Sequence, residues 1–309
     1  MPHSASLFNA NSDRYLAAID GLQLEQLRTR YTIMALDQYE QLKREAPDKA
    51  MQVYWHEILS RAHWTAITAI FRNRRWISAI SSAVTDRNAL AFAAALRGLI
   101  ESAGDTHTAL QNIPTTLARD AANIKGAISG KLGLKLLVDT IEDDLIHFAY
   151  ARKLKKGEAA PASHHAKTIQ EYVEILKRGQ VKQVADLYSE LCDFTHPGAS
   201  SVWLWLCQHG EHEVEIVSSR EAETISRLLS EYSETIENLL SFGFNGPLIT
   251  LAVLNYFPAK SLHTTALANW DFSDIPIWRK IDRDLVAQGS TCYVKSKSPL
   301  LRMVLKGRG

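Results

Sequence analysis

The chain has 309 residues, of which 46% are hydrophobic and 22% charged, and its formal net charge is +1. This is a globular composition, long enough for one large domain or two ordinary ones, and it excludes a disordered chain. The near-neutral balance supplies no whole-molecule attraction to nucleic acid or to an acidic substrate.

Three cysteines, Cys192, Cys207 and Cys292, form no C-x-x-C pair. A disulfide framework or zinc ribbon is therefore not indicated, and a reduced, cytoplasmic setting is expected. The N-terminus lacks the basic-then-apolar layout of a signal peptide. The most apolar run, residues 247–257, has about half of the roughly 20 residues needed to cross a bilayer, so no membrane partner is expected.

Taken in order, Asn11, Ser12 and Asp13 supply capping side chains ahead of Leu16, Ile19, Leu24, Leu27, Tyr31, Met34 and Tyr39 at helical spacing. One helix to about residue 43 is predicted. Pro47 marks a break, and a second helix follows over 49–72 with an aromatic-rich face of Tyr54, Trp55 and Trp64. Next comes a basic knot, Arg72, Arg74 and Arg75 with Trp76. Two readings of it stand side by side. One is a nucleic-acid-binding patch in which Arg meets phosphate and Trp stacks on a base. The other is a solvated corner between helices with Trp76 in the core.

Thr85 and Asp86 are candidate caps for a helix over 87–102. It is apolar from Ala89 to Ile100 except at Arg97 and Gly98, the pattern of a central helix. Arg97 and Glu101 share a face. Arg before Glu is the poorer order for an exposed pair, so further polar partners are expected. Gly98 leaves room for a close helix. Pro114 opens a helix over 115–128, and Ser129-Gly130 ends it. A helix over 131–155 has Leu134, Leu137, Ile141, Leu145 and Phe148 on its apolar side and Asp143 and His147 on its polar side. That Asp–His pair is too few ligands for a metal site. Residues 155–167 read as a linker, with His164-His165 solvated. Helices over 168–177 and 181–194 follow, and the second ends at His196-Pro197-Gly198.

Residues 201–217 predict a β-hairpin, because the second arm alternates strictly and the turn holds Gly210. The alternative is that 201–207 continues as helix. Ser219 is a candidate cap for a helix over 220–242, residues 243–247 with two glycines and Pro247 read as a break, and short helices over 248–257 and 274–288 complete the pattern. The last 20 residues carry Lys295, Lys297, Arg302, Lys306 and Arg308 and no acid. Such a tail attracts nucleic acid, solubilises the end or docks on a partner. The expected fold is mainly α, a multi-helix bundle over residues 1–245 with one small hairpin. A helical extension with a basic tail follows over 246–309.

The R-x-x-x-E helix of Arg97 and Glu101 is followed roughly 90 residues later by Tyr188-x-x-Leu191-x-x-x-x-His196-Pro197. Over about residues 50–240 this arrangement resembles bacterial helical proteins related to the HEPN (higher eukaryote and prokaryote nucleotide-binding) superfamily. The resemblance implies that Arg97, Glu101, Tyr188 and His196 gather between central helices. It also implies a setting in bacterial stress or phage defence. HEPN ribonucleases carry R-x(4–6)-H, with the Arg on phosphate and the His working on a ribose hydroxyl or leaving group. None of the eleven histidines here has an Arg at that spacing, a departure that puts RNA cleavage in doubt. No G-x-G-x-x-G, Walker A, G-x-S-x-G or H-E-x-x-H pattern occurs, and no cofactor or metal is expected. Three functions remain open: an interaction or regulatory component with a protein partner or a second copy, a metal-independent ribonuclease or nucleotide-binding protein, and a nucleic-acid-binding protein. Whether the chain is an enzyme is left undecided by the sequence.

Overall fold

The computed structural model describes residues 7–24, 29–131 and 139–288. The basic stretch from Lys295 to Arg308, Cys292, Leu27, Leu134 and Leu137 lie outside them. The helices are α1 (Ala10–Gly21), α2 (Leu36–Glu45), α3 (Pro47–Thr85), α4 (Ala89–Leu110), α5 (Ile113–Arg119), α6 (Ala121–Ile128), α7 (Asp139–Tyr150), α8 (Ile169–Arg178), α9 (Val184–Thr195) and α10 (Ala199–Trp203). After strands β1 (Leu206–Gln208) and β2 (Val214–Ile216) come α11 (Arg220–Glu231), α12 (Ser233–Leu254) and α13 (Pro276–Ala287). The fold is mainly helical with one two-stranded antiparallel hairpin, in which Leu206 pairs with Ile216 and Gln208 with Val214. Among the described residues no helix is long and apolar enough to cross a membrane.

Several elements differ from expectation for local reasons. The expected first helix is two, because the chain turns at Gln23, whose φ of 49° is left-handed. Helix α3 does not stop at the basic knot. It runs on for 39 residues, since no glycine or proline follows Pro47 before it ends. The knot is therefore mid-helix rather than a corner. Asn88, not Thr85 or Asp86, accepts the free N–H of Ala91 at the start of α4. The helix over 115–128 breaks in two at Asp120. The hairpin forms, but residues 199–203 ahead of it are helical, so its first arm is short.

The chain divides into two compact units, each assembled from separate segments, and the last change of unit falls between Phe244 and Asn245, inside α12. The first draws on the described residues of Met1–Asp13, Ala69–His107 and Lys167–Phe244. Here α4 is central. Phe92, Leu96, Leu99 and Ile100 are fully buried, as are Leu187 and Leu191 of α9 and Leu239, Leu240 and Phe244 of α12. Each such side chain contributes about 1.5–3 kcal/mol by leaving water. The room left by Gly98 is filled by the Trp76 indole; a Cβ at 98 would lie 2.6 Å from that ring. Trp76 is thus not a core residue and stays 37% exposed.

The expected break at 243–247 does not occur, because its cause is compensated. Pro247 sits inside α12 and has no N–H for the carbonyl four residues back, that of Gly243. The buried side-chain amide of Asn73 donates to that carbonyl at 2.7 Å. Its own oxygen accepts from the Ser102 hydroxyl. A Cβ at 243 would lie 2.9 Å from the Asn73 nitrogen, so glycine is needed for the approach.

The second unit holds the described residues of Arg14–Thr68, Thr108–Ala166 and Asn245–Gly309. Trp278, Ile281 and Leu285 of α13 are buried, and α13 packs on α5. The Tyr15 hydroxyl donates to Asn245 at 2.7 Å. The buried His63 ring shares a 2.6 Å hydrogen bond with the Tyr31 hydroxyl.

Two predictions follow from this packing. Asn73→Ala should cost about 1–3 kcal/mol in urea denaturation. In a Pro247→Ala background, where residue 247 regains its N–H, the loss should be smaller by a measurable coupling energy. Equal losses in both backgrounds would show that Asn73 does not answer the proline. The second concerns pH. Burial lowers the pKa of His63 to about 4, and burial against Phe242 does the same for His107. Both folded values lie below the ordinary 6.5, so the unfolded chain binds more protons between those limits. Stability should therefore fall as pH drops through that window, by up to about 1.4 kcal/mol per pH unit for each ring. His63→Gln should flatten the dependence of the urea midpoint between pH 7 and pH 5.

Candidate functional site

Within the first unit, the side chains expected to meet are carried by α4 and α9. On α4, Arg97, Glu101 and Asp105 recur every four residues and form one stripe. On α9, Tyr188 and Thr195 are seven apart and share a face. Arg97 Nη1 donates to Thr195 Oγ1 at 2.6 Å, and Nη2 donates to the Tyr188 hydroxyl at 3.0 Å. The guanidinium carbon also lies 5.2 Å from the centre of the Tyr188 ring. The Tyr188 hydroxyl donates in turn to Glu101 Oε1 at 3.3 Å. Arg97 and Glu101 do not pair directly; the tyrosine oxygen bridges them. Thr195 passes its own proton to the Leu191 carbonyl at 3.0 Å.

The electrostatics match this chain of donors. Burial weighs against the Arg97 charge, but the Tyr188 hydrogen bond and the negative surroundings, Glu101 among them, outweigh it, and the pKa rises. Burial raises the Tyr188 pKa, Arg97 opposes it, and Glu101 adds to it. The phenol therefore stays protonated at neutral pH. Arg97 Nε is buried without an acceptor among the described residues.

The same device recurs further along the stripe. Arg72 of α3 donates to Asp105 Oδ2 at 2.7 Å and to Thr106 Oγ1 at 3.3 Å. The Tyr172 hydroxyl of α8 donates to Asp105 Oδ1 at 3.0 Å. In both places a carboxylate of α4 accepts from a tyrosine of a later helix while an arginine closes the group. A Cβ on Gly104 would lie 2.9 Å from Tyr172 Cβ, so α8 needs glycine there.

Arg97, Glu101 and Tyr188 thus come together as expected, and His196 does not join them. It is the exposed residue after Thr195, where α9 ends, and its backbone N–H bonds to the Cys192 carbonyl at 2.9 Å. Pro197 holds it in extended backbone. Its ring makes no hydrogen bond among the described residues. The basic knot also divides: Arg72 is drawn to Asp105, Arg74 is half-buried, Arg75 is exposed, and Trp76 lies over Gly98. Among the described residues no group of three or more His, Cys, Asp or Glu side chains is placed to hold a metal. His147 is instead bonded to the Ser163 carbonyl at 3.1 Å, and His164 stacks on Tyr150.

Sequence reasoning missed Thr195, Asp105 and Tyr172. The four-residue step from Arg97 through Glu101 to Asp105 was the available signal for Asp105. Nothing in the pattern marks Thr195 beyond its seven-residue distance from Tyr188. No protein-family model, curated protein or solved structure matches the chain.

If the tyrosine bridge holds α9 to α4, Tyr188→Phe should lower stability by about 1–3 kcal/mol, because it leaves Arg97 and Glu101 without their shared partner. His196→Ala should stay within about 0.5 kcal/mol of wild type. Urea denaturation of the two variants checks both values, and the reverse ranking would refute the bridge.

Proposed function

We propose that this protein is a non-catalytic interaction or regulatory component that acts through a docked partner. The observation that carries the reading is the apolar surface of residues 199–216. Ile216 is 80% exposed, and Val202, Val214 and Trp203 are also exposed. Val214 and Ile216 are two apart on β2 and point to one side of the hairpin. The sheet has two strands, so the outer edge of β2 offers backbone groups to an added strand. Four large apolar side chains left exposed within one short stretch of chain mark a contact surface more often than an ordinary solvated face.

The Arg97 cluster supports the same reading from the other side. Both Nη atoms of Arg97 are engaged by the protein, and the group most suited to proton transfer near neutral pH, His196, is not part of the cluster. Its polar atoms fix the register of α9 and α8 on α4. The setting in a bacterial stress or phage-defence module rests on the HEPN resemblance alone, and a cytoplasmic location on the sparse cysteines. The alternative of a HEPN-like ribonuclease or nucleotide-binding protein keeps one observation in its favour, the unaccepted Nε of Arg97. Nucleic-acid binding through Arg72, Arg74 and Arg75 loses support from the internal pairing of Arg72.

The test has two arms. Labelled RNA incubated with wild type, Arg97→Ala and His196→Ala should remain intact in all three. Cleavage by wild type that either substitution abolishes overturns the reading. In the second arm, Ile216→Lys and Trp203→Ser should keep the helical signal and urea midpoint of wild type. They should lose association, measured as sedimentation of the chain alone and as co-purification from the source lysate. Wild type that sediments as a monomer and retains nothing from the lysate also overturns it.

A further inference from the structure

The second unit contains a cleft of about 530 Å³ between α2 and the first turns of α3, with Glu142 of α7 on its wall. That is the size of a small-molecule site. Helix α2 buries none of its residues, so it stands off α3 rather than filling the space. It is held at its start by the segment before it: the Met34 N–H donates to Glu57 Oε1 at 2.7 Å. The floor is apolar and deformable, with Met34 and Met51 both lining it.

The charges on the wall are unequal. Three carboxylates, Glu40, Glu57 and Glu142, face two cations, Lys43 and Arg61. Lys43 is taken by Glu40 at 3.1 Å. Arg61 lies 4.0 Å from Glu57 and over the Trp64 ring. Glu142 has no cation within ion-pair distance among the described residues; the contact it receives is the Tyr54 hydroxyl at 3.4 Å. Tyr39 lines the same space, and its pKa is raised, first by burial and then by the negative charges of Glu142, Glu40 and Glu57. A half-buried carboxylate with two tyrosine rings beside it and an apolar floor below is the complement of an ammonium group on an alkyl body.

We infer that the cleft between α2 and α3 binds a small aliphatic amine, with its ammonium at Glu142 beside Tyr39 and Tyr54 and its alkyl chain on Met34 and Met51. A neutral alcohol of equal length meets the floor but leaves the carboxylate unanswered, and a carboxylate ligand is repelled. This site uses no residue of the Arg97 cluster and does not depend on the proposed partner docking.

The experiment is a titration of the full chain, labelled at the methionine methyl groups, with protonated n-hexylamine, n-hexanol and hexanoate, followed by NMR and by calorimetry. The Met34 and Met51 methyl signals should shift saturably with hexylammonium, more weakly with hexanol and not with hexanoate. Glu142→Gln, which removes the charge and keeps the shape, should weaken hexylammonium about tenfold or more while leaving hexanol unchanged. Its urea midpoint shows that it is folded. No saturable shift in wild type, equal response to hexanoate, unchanged affinity in Glu142→Gln, or binding that leaves both methyl signals in place would each overturn the inference.

Discussion

A proline in the middle of a 22-residue helix must be compensated, and here one buried amide does it. An unanswered proline in a helix interior costs about 3 kcal/mol or more, part of it the orphaned carbonyl. Asn73 removes that part by donating to Gly243, and it holds its own orientation by accepting from Ser102. This requirement reaches three helices. Glycine must stand at 243 so that the amide can approach. Ser102 must lie on α4 facing it. Most of all, α3 must stay helical through the arginine stretch, since a corner at residues 72–76 would carry Asn73 away from the carbonyl it completes.

The polar stripe of α4 obeys the same rule at larger scale. Charges inside a helical unit are costly unless each finds hydrogen bonds, and an Arg–Glu pair on one helix does not by itself tie that helix to anything. The tyrosine hydroxyls change this. Tyr188 accepts from Arg97 and donates to Glu101, so the pair is closed only when α9 is in place. Tyr172 of α8 donates to one oxygen of Asp105, whose other oxygen is paired directly with Arg72 of α3. Sliding either helix by one turn along α4 would strand a carboxylate and a phenol together. Apolar packing alone is more forgiving of such slips, so the stripe specifies register while the leucines supply most of the stabilisation.

Much of the fold was legible because it depends on local rules. The capping box at Thr168 and Glu171, the proline at the start of α5 and the stop at His196-Pro197 each act within a few residues of where they are written. The elements that escaped depend on distant partners. Nothing near Pro247 says that an asparagine 174 residues earlier will complete its helix. In the cluster, Arg97 and Glu101 were legible because helical periodicity puts them on one face, whereas Tyr188 was reached only through the Tyr188-x-x-Leu191 pattern of the HEPN resemblance. His196 was conspicuous for a different reason. The proline and glycine after it end the helix, and the same stop turns its ring to solvent.

Conspicuous residues and unanswered ones are therefore different sets in this protein. Arg97 and Glu101 stand out in the sequence as charges among apolar neighbours, and Arg72 as part of a basic knot; the first unit uses their hydrogen bonds to seat its own helices. A donor or acceptor already paired within its own chain, as both Nη atoms of Arg97 are, gains little from a ligand, because binding would exchange one partner for another of similar strength. Glu142 is ordinary in the sequence, one acid in a run of acidic residues. It is set apart because α2 leaves space above α3 and because the nearby cations are already engaged by Glu40 and Glu57. A ligand there satisfies a charge left without a counterion among the described residues, and it covers apolar surface that α2 does not. Both terms favour the bound state without breaking any bond the protein makes for itself, which is the physical reason to look for binding at the cleft rather than at the arginines.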